Sequence, residues 1–220
     1  MKWLDIGEMA GAVPLPDGYR FELLKRSDIQ EVVDSIQGWF PDISVGSASV
    51  YLRSDFLGEK VCLAEEADKD VLVVLLRAGR DLAGFFSCER DPDTLSLYAR
   101  LAVVAPEHRG VGLCRKCIML TEFIGRRIGM GMVYGMATLK IPHVQRAFEA
   151  LGWRLIGIAP GYDREMVAPD VVKRVYEAVY AKVLVAECEL LRPHTRNLTR
   201  GTRSIFRQLF PDQLLAPGGD

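Results

Sequence analysis

The pattern of apolar and polar residues divides the chain into short strands and amphipathic helices. Stretches rich in strand-forming residues predict strands at 19–24, 71–77, 82–90, 95–104, 132–136 and 153–158. Apolar residues spaced three and four apart predict helices that start at 27, 113 and 143 and end near 38, 128 and 151. Antiparallel strands come first and then alternate with helices, which predicts an α+β fold with a mixed, mostly antiparallel sheet flanked by helices.

Turn and capping residues mark several boundaries. Ser27-Asp-Ile-Gln30 has the form of a capping box, so it predicts the start of the first helix. A second helix is expected at 48–63. Near the end of the chain, 160–163 is expected to form a loop, and Pro169-Asp170 to introduce one more short helix. The segment 177–185 fits a final strand better than a continuation of that helix, because it is rich in Val and Tyr.

Length and composition indicate a soluble globular protein. The 220 residues suit one domain, which we place at 19–186, with an N-terminal extension at 1–18 and a C-terminal tail or helix at 187–220. The tail carries an arginine stripe with helical spacing, formed by Arg196, Arg200, Arg203 and Arg207. It reads either as a solvated face or as a surface for an anionic partner.

Charge and hydropathy exclude two classes of partner. The net charge of −1 and the isoelectric point near 6.3 give no basic field, so we expect no nucleic-acid binding. The longest aliphatic run, at 71–76, is far too short for a membrane span, which takes about 20 apolar residues. The first residues lack the apolar stretch of a signal peptide, and a cytoplasmic location is therefore expected.

The five cysteines argue for reduced thiols rather than a disulfide framework, because their number is odd and their spacing irregular. Cys114-Arg-Lys-Cys117 has the spacing of a redox pair or of half a zinc site. The chain offers no second ligand pair, so we expect no metal and interpret Cys117 as a packing residue on a helix.

The stretch 102–115 carries the chemistry. It runs from the end of an apolar strand through a turn containing Gly110 and Gly112 into a helix. Glycines let the backbone approach a ligand, and a helix N-terminus offers unpaired N–H groups, so this arrangement predicts a phosphate site. It is not a nucleotide P-loop, because the chain contains no Gly-Lys-Ser or Gly-Lys-Thr, and Arg115 stands where the dinucleotide fingerprint needs a small residue.

Arg109-x-x-Gly112-x-Cys114 after Val-Ala-Pro-Glu closely resembles the acetyl-CoA loop of the GNAT-type N-acetyltransferases, whose pattern is Gln/Arg-x-x-Gly-x-Gly/Ala. Cys114 departs from the last position but is still small. The stretch 144–153, which ends in Leu-Gly-Trp, resembles the late helix and strand of the same family, usually Leu-Tyr-Glu-x-Leu-Gly-Phe. Together with the element order, the resemblance covers roughly 19–186.

The resemblance implies a sheet that splays between its fourth and fifth strands, at 95–104 and 132–136, with CoA in the gap. It implies that Ala102, Val103 and Val104 hold the pantetheine arm. The pyrophosphate would be held by the loop residues Arg109, Gly110, Val111, Gly112, Leu113, Cys114 and Arg115. The activity implied is direct transfer of an acetyl group, or another acyl group, from its CoA thioester to a primary amine on a small molecule or peptide.

Two side chains are candidates for the general base or acid, Glu89 and Tyr98. Position 148 is Phe where many relatives carry a Tyr that protonates the leaving thiolate. The alternative is therefore a non-catalytic acyl-CoA sensor or partner-binding module on the same fold.

Four aromatic residues would either wall the acceptor pocket or cap the core: Trp39, Phe40, Tyr51 and Tyr162. The sequence leaves the acceptor and the oligomeric state open, with a homodimer among the options.

Overall fold

The computed structural model describes residues 2–66 and 69–211. Its α-helices are α1 (Ile6–Ala12), α2 (Ile29–Trp39), α3 (Ser54–Lys60), α4 (Leu113–Arg127), α5 (His143–Ala150) and α6 (Arg200–Leu209). Its strands are β1 (Tyr19–Leu23), β2 (Val61–Cys62), β3 (Val71–Ala78), β4 (Asp81–Asp91), β5 (Ser96–Val104), β6 (Met132–Thr138), β7 (Arg154–Ala168) and β8 (Val171–Val183).

All the strands belong to one mixed sheet with the order β1-β3-β4-β5-β6-β8-β7, and β2 pairs with the start of β3. Neighbours are antiparallel except β2 with β3 and β5 with β6. The parallel β5–β6 pair needs a crossover, which α4 supplies. The predicted α+β fold with a mostly antiparallel sheet is confirmed.

The sheet forks between β5 and β6. Their pairing ends at Ala99 and Gly135, although β5 continues to Val104 and β6 to Thr138. Because β2 was not predicted, these are the strands expected as the fourth and fifth. The fork leaves one backbone edge of β5 free beyond Ala99, next to the start of α4.

Apolar side chains fill both faces of the sheet. The helices α1, α4 and α5 cover one face, where the residues at helical spacing in α4 are buried as predicted, from Leu113 and Cys117 to Leu120 and Ile124. The helices α2 and α3 cover the other face through a second cluster that includes Ile36 and Phe85.

A buried ion cluster anchors α2 to the sheet. Arg77 on β3 is only 6% exposed. Its Nη1 lies 2.7 Å from Glu31, its Nε 3.3 Å from Glu22 and its Nη2 3.5 Å from Asp28. A buried guanidinium needs such partners, since an uncompensated charge in this position costs several kcal/mol.

The C-terminal part of the domain departs most from expectation. Residues 160–163 do not form a loop but a bulged part of β7, where the pairing with β8 shifts register between Ala159 and Asp163. Pro169-Asp170 does not start a helix but forms the turn of the β7–β8 hairpin, with Asp170 at φ +60°. The preference for strand at 177–185 is confirmed, and that strand starts earlier, at Val171.

Three N-terminal expectations also need correction. The predicted capping box at Ser27 does not form; instead a short 3₁₀ turn precedes α2, and the Lys25 N–H donates to Asp28 Oδ2 at 3.0 Å. The helix expected at 48–63 divides into a 3₁₀ segment, α3 and β2. The unpredicted helix α1 packs into the core through Met9, which is fully buried.

The tail forms α6, with Arg196 just outside it, while 212–220 lie outside the described residues. Thr199 caps α6 by accepting from the Thr202 N–H at 3.1 Å. Of the predicted stripe, Arg203 is turned inward and donates to the carbonyl of Thr195 at 2.8 Å. Among the described residues, no helix combines the length and the apolar character needed to cross a bilayer.

Candidate active site

The glycine turn between β5 and α4 has the backbone geometry that the sequence predicts. Gly110 and Gly112 take left-handed conformations, with φ +85° and +86°, which only glycine adopts without strain. Gly112 is the N-cap of α4 and has no side chain to cap the helix. The first N–H groups of α4 are therefore available to a ligand, and the positive end of the helix dipole lies beside them.

A cavity of about 730 Å³ opens in front of this turn. Eight residues expected to hold CoA line it: Ala102, Val104, Arg109, Gly110, Gly112, Leu113, Cys114 and Arg115. Phe40, His108, Ile141, His143 and Ala147 complete the wall. The volume is in the range of ligand-binding pockets.

Two other residues expected at the CoA site have side chains elsewhere. Val103 is 4% exposed and packs in the core cluster beneath α2 and α3. Val111 is 47% exposed. Neither residue lines the cavity, and the contact that the resemblance implies for them is through the backbone.

Arg109 contacts the protein on both sides of its guanidinium. Its Nε donates to the Val104 carbonyl at 3.2 Å, and its guanidinium lies 5.1 Å from the ring centroid of Phe40. The neighbouring His108 ring shares a hydrogen bond of 3.0 Å with the Tyr19 hydroxyl. The cation is thus held against the mouth of the cavity, where it suits an anionic ligand.

A second, smaller cavity of about 140 Å³ lies at the fork. It shares Ala102 and Cys114 with the large cavity and continues along β5 to Ala99. Between these residues β5 has a bulge, because Ser87 pairs with Leu101 while Cys88 pairs with Ala99, and Arg100 is the extra residue.

The two predicted catalytic candidates lie directly opposite each other, since Glu89 on β4 pairs with Tyr98 on β5. The Glu89 carboxylate is ion-paired with Arg100. Tyr98 stacks on Tyr134, with ring centroids 4.9 Å apart. Burial raises the pKa of Tyr98 well above its usual value, and nearby Tyr162 adds to this shift, so Tyr98 stays protonated at neutral pH. It is suited to donate a proton rather than to accept one.

Phe148 lies within the core of the fork. It is 3% exposed and stacks between Trp153, at 4.7 Å, and Tyr180, at 5.3 Å between centroids. Its ring also lines the smaller cavity. Position 148, where the resemblance implies a tyrosine that acts as the general acid, thus lines the fork. Its phenyl ring has no proton to donate.

Sequence reasoning missed three polar residues at the fork. Tyr51 and Ser87 are each 1% exposed, and their hydroxyls, like Nε of Arg100, make no hydrogen bond to any residue in the described part of the chain. For Tyr51, the sequence predicts only a pocket wall or a core cap. No local motif marks these residues, because the sheet register brings them together.

Glu177 on β8 was also missed. It is 7% exposed. Burial first, and then the nearby carboxylates of Asp163 and Glu165, raise its pKa from 4.5 to about 7. Glu165 itself is ion-paired with Lys140.

The segment that follows α2 contacts the bulged part of β7. Asp163 accepts hydrogen bonds from the Ser47 N–H at 2.8 Å and from the Ser47 hydroxyl at 2.7 Å. Trp39, Phe40 and Asp163 share the wall of a cavity of about 330 Å³. Of the other two aromatics, Tyr51 is a buried core residue and Tyr162 is 47% exposed.

The five cysteines form no disulfide. Each is a free thiol, and Cys117 is buried in the core, which confirms its interpretation as a packing residue. Among the described residues, no group of three or more His, Cys, Asp or Glu side chains is arranged to hold a metal ion.

Known proteins resemble this chain in structure but not detectably in sequence. No protein-family model matches the chain, and no curated protein matches it. The spermidine/spermine N-acetyltransferase SpeG from Vibrio cholerae superimposes with a TM-score of 0.59 at 15% identity, over 77% of this chain and 95% of that one.

Two further structures agree. The ribosomal-protein-S5-alanine acetyltransferase from Vibrio fischeri gives a TM-score of 0.58 at 10% identity, covering 76% of this chain and 94% of that one. The ribosomal-protein-S18-alanine N-acetyltransferase from Escherichia coli gives 0.57 at 14% identity, covering 79% and 99%. The chain therefore has the fold of the GNAT-type N-acetyltransferases.

Proposed function

We propose that the protein is an N-acyltransferase that moves an acetyl group from acetyl-CoA to a primary amine by direct transfer. One observation carries the proposal: the glycine turn, the open N-terminus of α4 and the free edge of β5 all border one cavity. A diphosphate matches the N–H groups and the cations Arg109 and Arg115, while the free strand edge suits the amides of a pantetheine arm. The fold shared with three N-acetyltransferases supports the same conclusion.

In the transfer, the amine nitrogen forms a bond to the thioester carbon, and the carbon–sulfur bond then breaks to release the thiolate. A lysine-like amine is neutral only about once in 2,500 molecules at pH 7, a cost of roughly 4.6 kcal/mol. The acceptor therefore has to lose a proton, and we propose Glu89 as the group that takes it, with release from Arg100 as the substrate binds. Tyr98 is assigned the complementary role of donor to the leaving thiolate.

The binding step can be tested by titrating acetyl-CoA into the protein in a calorimeter. We expect saturable binding that weakens about tenfold in Arg109→Gln and in Arg115→Gln, since each loses a charge-assisted contact to phosphate. Arg127→Gln is the matched control, because Arg127 lies at the other end of α4 and pairs with Glu8 on the surface. If acetyl-CoA does not bind, the proposed function is wrong.

The transfer step can be tested by measuring free thiol released from acetyl-CoA with a panel of amines. Glu89→Gln should lower the rate of thiol release. The loss should be largest below neutral pH, because the acceptor amine then loses its proton to solvent least often. Tyr98→Phe, which keeps the ring stacked on Tyr134, should lower kcat with little change in KM.

The second candidate function is an acyl-CoA sensor that binds without turning over. Phe148 favours it, because a buried phenyl ring occupies the position from which the resemblance expects a hydroxyl. Tight acetyl-CoA binding with no thiol release for any amine, before and after Phe148→Tyr, would support the sensor over the enzyme.

A further inference from the structure

One side chain forms part of the walls of two cavities. Phe40 lines the cavity of about 730 Å³ proposed for CoA, and it also lines the cavity of about 330 Å³ beside β7. It is the residue that these two walls have in common. A change in the orientation of its ring therefore alters the shape of both cavities.

The smaller cavity extends towards the proposed acid–base pair. One of its walls is the bulged part of β7, where Asp163 and Glu165 lie. Burial is the main cause of the raised pKa of Tyr98, and Tyr162, which precedes Asp163, lies close enough to add to it. An amine in this cavity would lie between the CoA cavity and the groups assigned to proton transfer, so we call it the acceptor cavity.

The backbone around Phe40 is anchored, so its ring is the part that can move. The Phe40 N–H, at the end of α2, donates to the Ile36 carbonyl at 2.9 Å, and the Phe40 carbonyl accepts from the Ile43 N–H at 3.0 Å. Across the acceptor cavity, Asp163 accepts hydrogen bonds from Ser47. The ring itself is half-buried and can change rotamer without moving the backbone.

Arg109 contacts the ring from the side of the CoA cavity. Its guanidinium lies 5.1 Å from the Phe40 ring centroid, and its Nε donates to the Val104 carbonyl at 3.2 Å. A planar guanidinium stacks through its face and donates hydrogen bonds through its edge. Its two Nη groups can therefore bind a phosphate while its face stays on the ring.

A diphosphate in the CoA cavity would fix this stack. Hydrogen bonds from a guanidinium to phosphate oxygens are strong and directional, so they hold the guanidinium in one orientation. The ring that packs on its face is then restricted in turn. The amine would meet a cavity wall that is already ordered, and a ligand binds more tightly to a protein that it does not have to order itself.

We infer that Phe40 is a positioning residue through which Arg109 couples the CoA cavity to the acceptor cavity. The inference rests on the proposed acyl transfer. Its consequence is positive coupling between the two substrates, so the amine binds more tightly when CoA is in place. Because coupling is reciprocal, CoA binds more tightly by the same factor when the amine is in place.

Trp39 provides a probe of this coupling that needs no amine. It precedes Phe40 and lines the acceptor cavity but not the CoA cavity. The other two tryptophans, Trp3 and Trp153, are buried in the core. Titration of CoA into the full chain should therefore change the tryptophan fluorescence, and Trp39→Phe should remove that change.

Variants connect the fluorescence change to the stack. Phe40→Leu removes the ring and Arg109→Lys removes the planar face while keeping the charge, so each should lose at least about half of the change at saturating CoA. Phe40→Tyr keeps the ring and should retain the full change. Phe123→Leu is the matched control, because Phe123 on α4 is also half-buried but lines neither cavity.

Calorimetry measures the coupling directly. The amine that gives the fastest thiol release in the panel is titrated into the full chain with and without saturating CoA, which carries no acyl group to transfer. We expect about fivefold tighter amine binding with CoA, and the same factor when CoA is titrated with and without the amine. The factor should fall below about twofold in Phe40→Leu and stay near the parent value in Phe40→Tyr and Phe123→Leu.

The outcomes for the two proposals can be separated. If acetyl-CoA is turned over but CoA leaves the amine affinity unchanged, the coupling is wrong and acyl transfer stands. Coupling that persists at the parent value in both Phe40→Leu and Arg109→Lys would equally overturn the role of Phe40. If no CoA thioester binds at all, both proposals fall.

Discussion

A single methyl group added at Gly135 tests how the fork is built. Gly135 is the last residue of β6 that pairs with β5, and it faces Ala99. A Cβ there would lie 2.8 Å from Cζ of Phe148 and 3.3 Å from Cβ of Ala99. Ordinary carbon contacts are about 3.5–4.0 Å, so the phenyl ring would have to move by roughly 0.7 Å or more.

The ring has little room to move, because Trp153 and Tyr180 stack on it. Overpacking of this kind costs about 1–3 kcal/mol, and the reduced entropy of the unfolded chain returns roughly 0.4–1 kcal/mol for Gly→Ala. We therefore expect Gly135→Ala to lower the free energy of unfolding by about 1–2 kcal/mol, measured by urea denaturation. Gly157→Ala is the control, since Gly157 on β7 has open space around it and should be neutral or slightly stabilising.

A double-mutant cycle makes the reasoning sharper. Phe148→Leu removes the Cζ atom that the new methyl meets, so the cost of Gly135→Ala should be smaller in that background by at least 0.5 kcal/mol. Two results would refute this account of the fork: a Gly135→Ala variant as stable as the parent, or costs that simply add in the double variant.

Three further perturbations have defined outcomes. Gly112→Ala forces a left-handed conformation on a side chain at about 1–2 kcal/mol, so the melting temperature should fall and calorimetry should show weaker acetyl-CoA binding, whereas Gly11→Ala in α1 should not destabilise. Because the pKa of Glu177 rises from 4.5 to about 7 on folding, the free energy of unfolding should fall by roughly 3 kcal/mol as the pH rises through that window. Glu177→Gln should abolish this fall and be more stable than the parent at pH 8 in urea titrations; equal slopes would contradict the assignment. Arg77→Leu leaves three carboxylates without their cation and should lower the free energy of unfolding by about 3–5 kcal/mol in the same assay. A decrease below about 1 kcal/mol would show that the cluster is not buried in solution.

The parts of the fold that sequence predicted are those with strong local signals. The β3–β4 hairpin follows from two apolar strands around the 78–81 turn, and α4 follows from a regular apolar stripe after Gly112. The glycine turn and its cavity could be predicted because the required backbone conformations are encoded by neighbouring residues.

The β7–β8 hairpin could not be predicted in the same way. Much of β7 is exposed or half-buried, so it shows no clean apolar alternation, and its bulges interrupt what alternation there is. Pro169 is compatible with both a helix start and a turn. The turn forms because β8 pairs with β7, and Asp170 takes the left-handed conformation that this hairpin requires. Helix α1, by contrast, had a signal: Asp5 caps it by accepting from the Glu8 N–H at 2.8 Å.

The buried donors at the fork depend on sheet register, which no motif near them specifies. Parallel pairing with β6 stops at Ala99, the residue immediately before the β5 bulge at Arg100. A bulge bends and twists its strand, so the residue inserted at Arg100 lies where β5 turns away from β6. The free strand edge proposed for CoA thus depends on the bulge: removing it by deleting Arg100 should abolish acetyl-CoA binding in calorimetry, whereas Arg100→Lys, which keeps the inserted residue, should retain it.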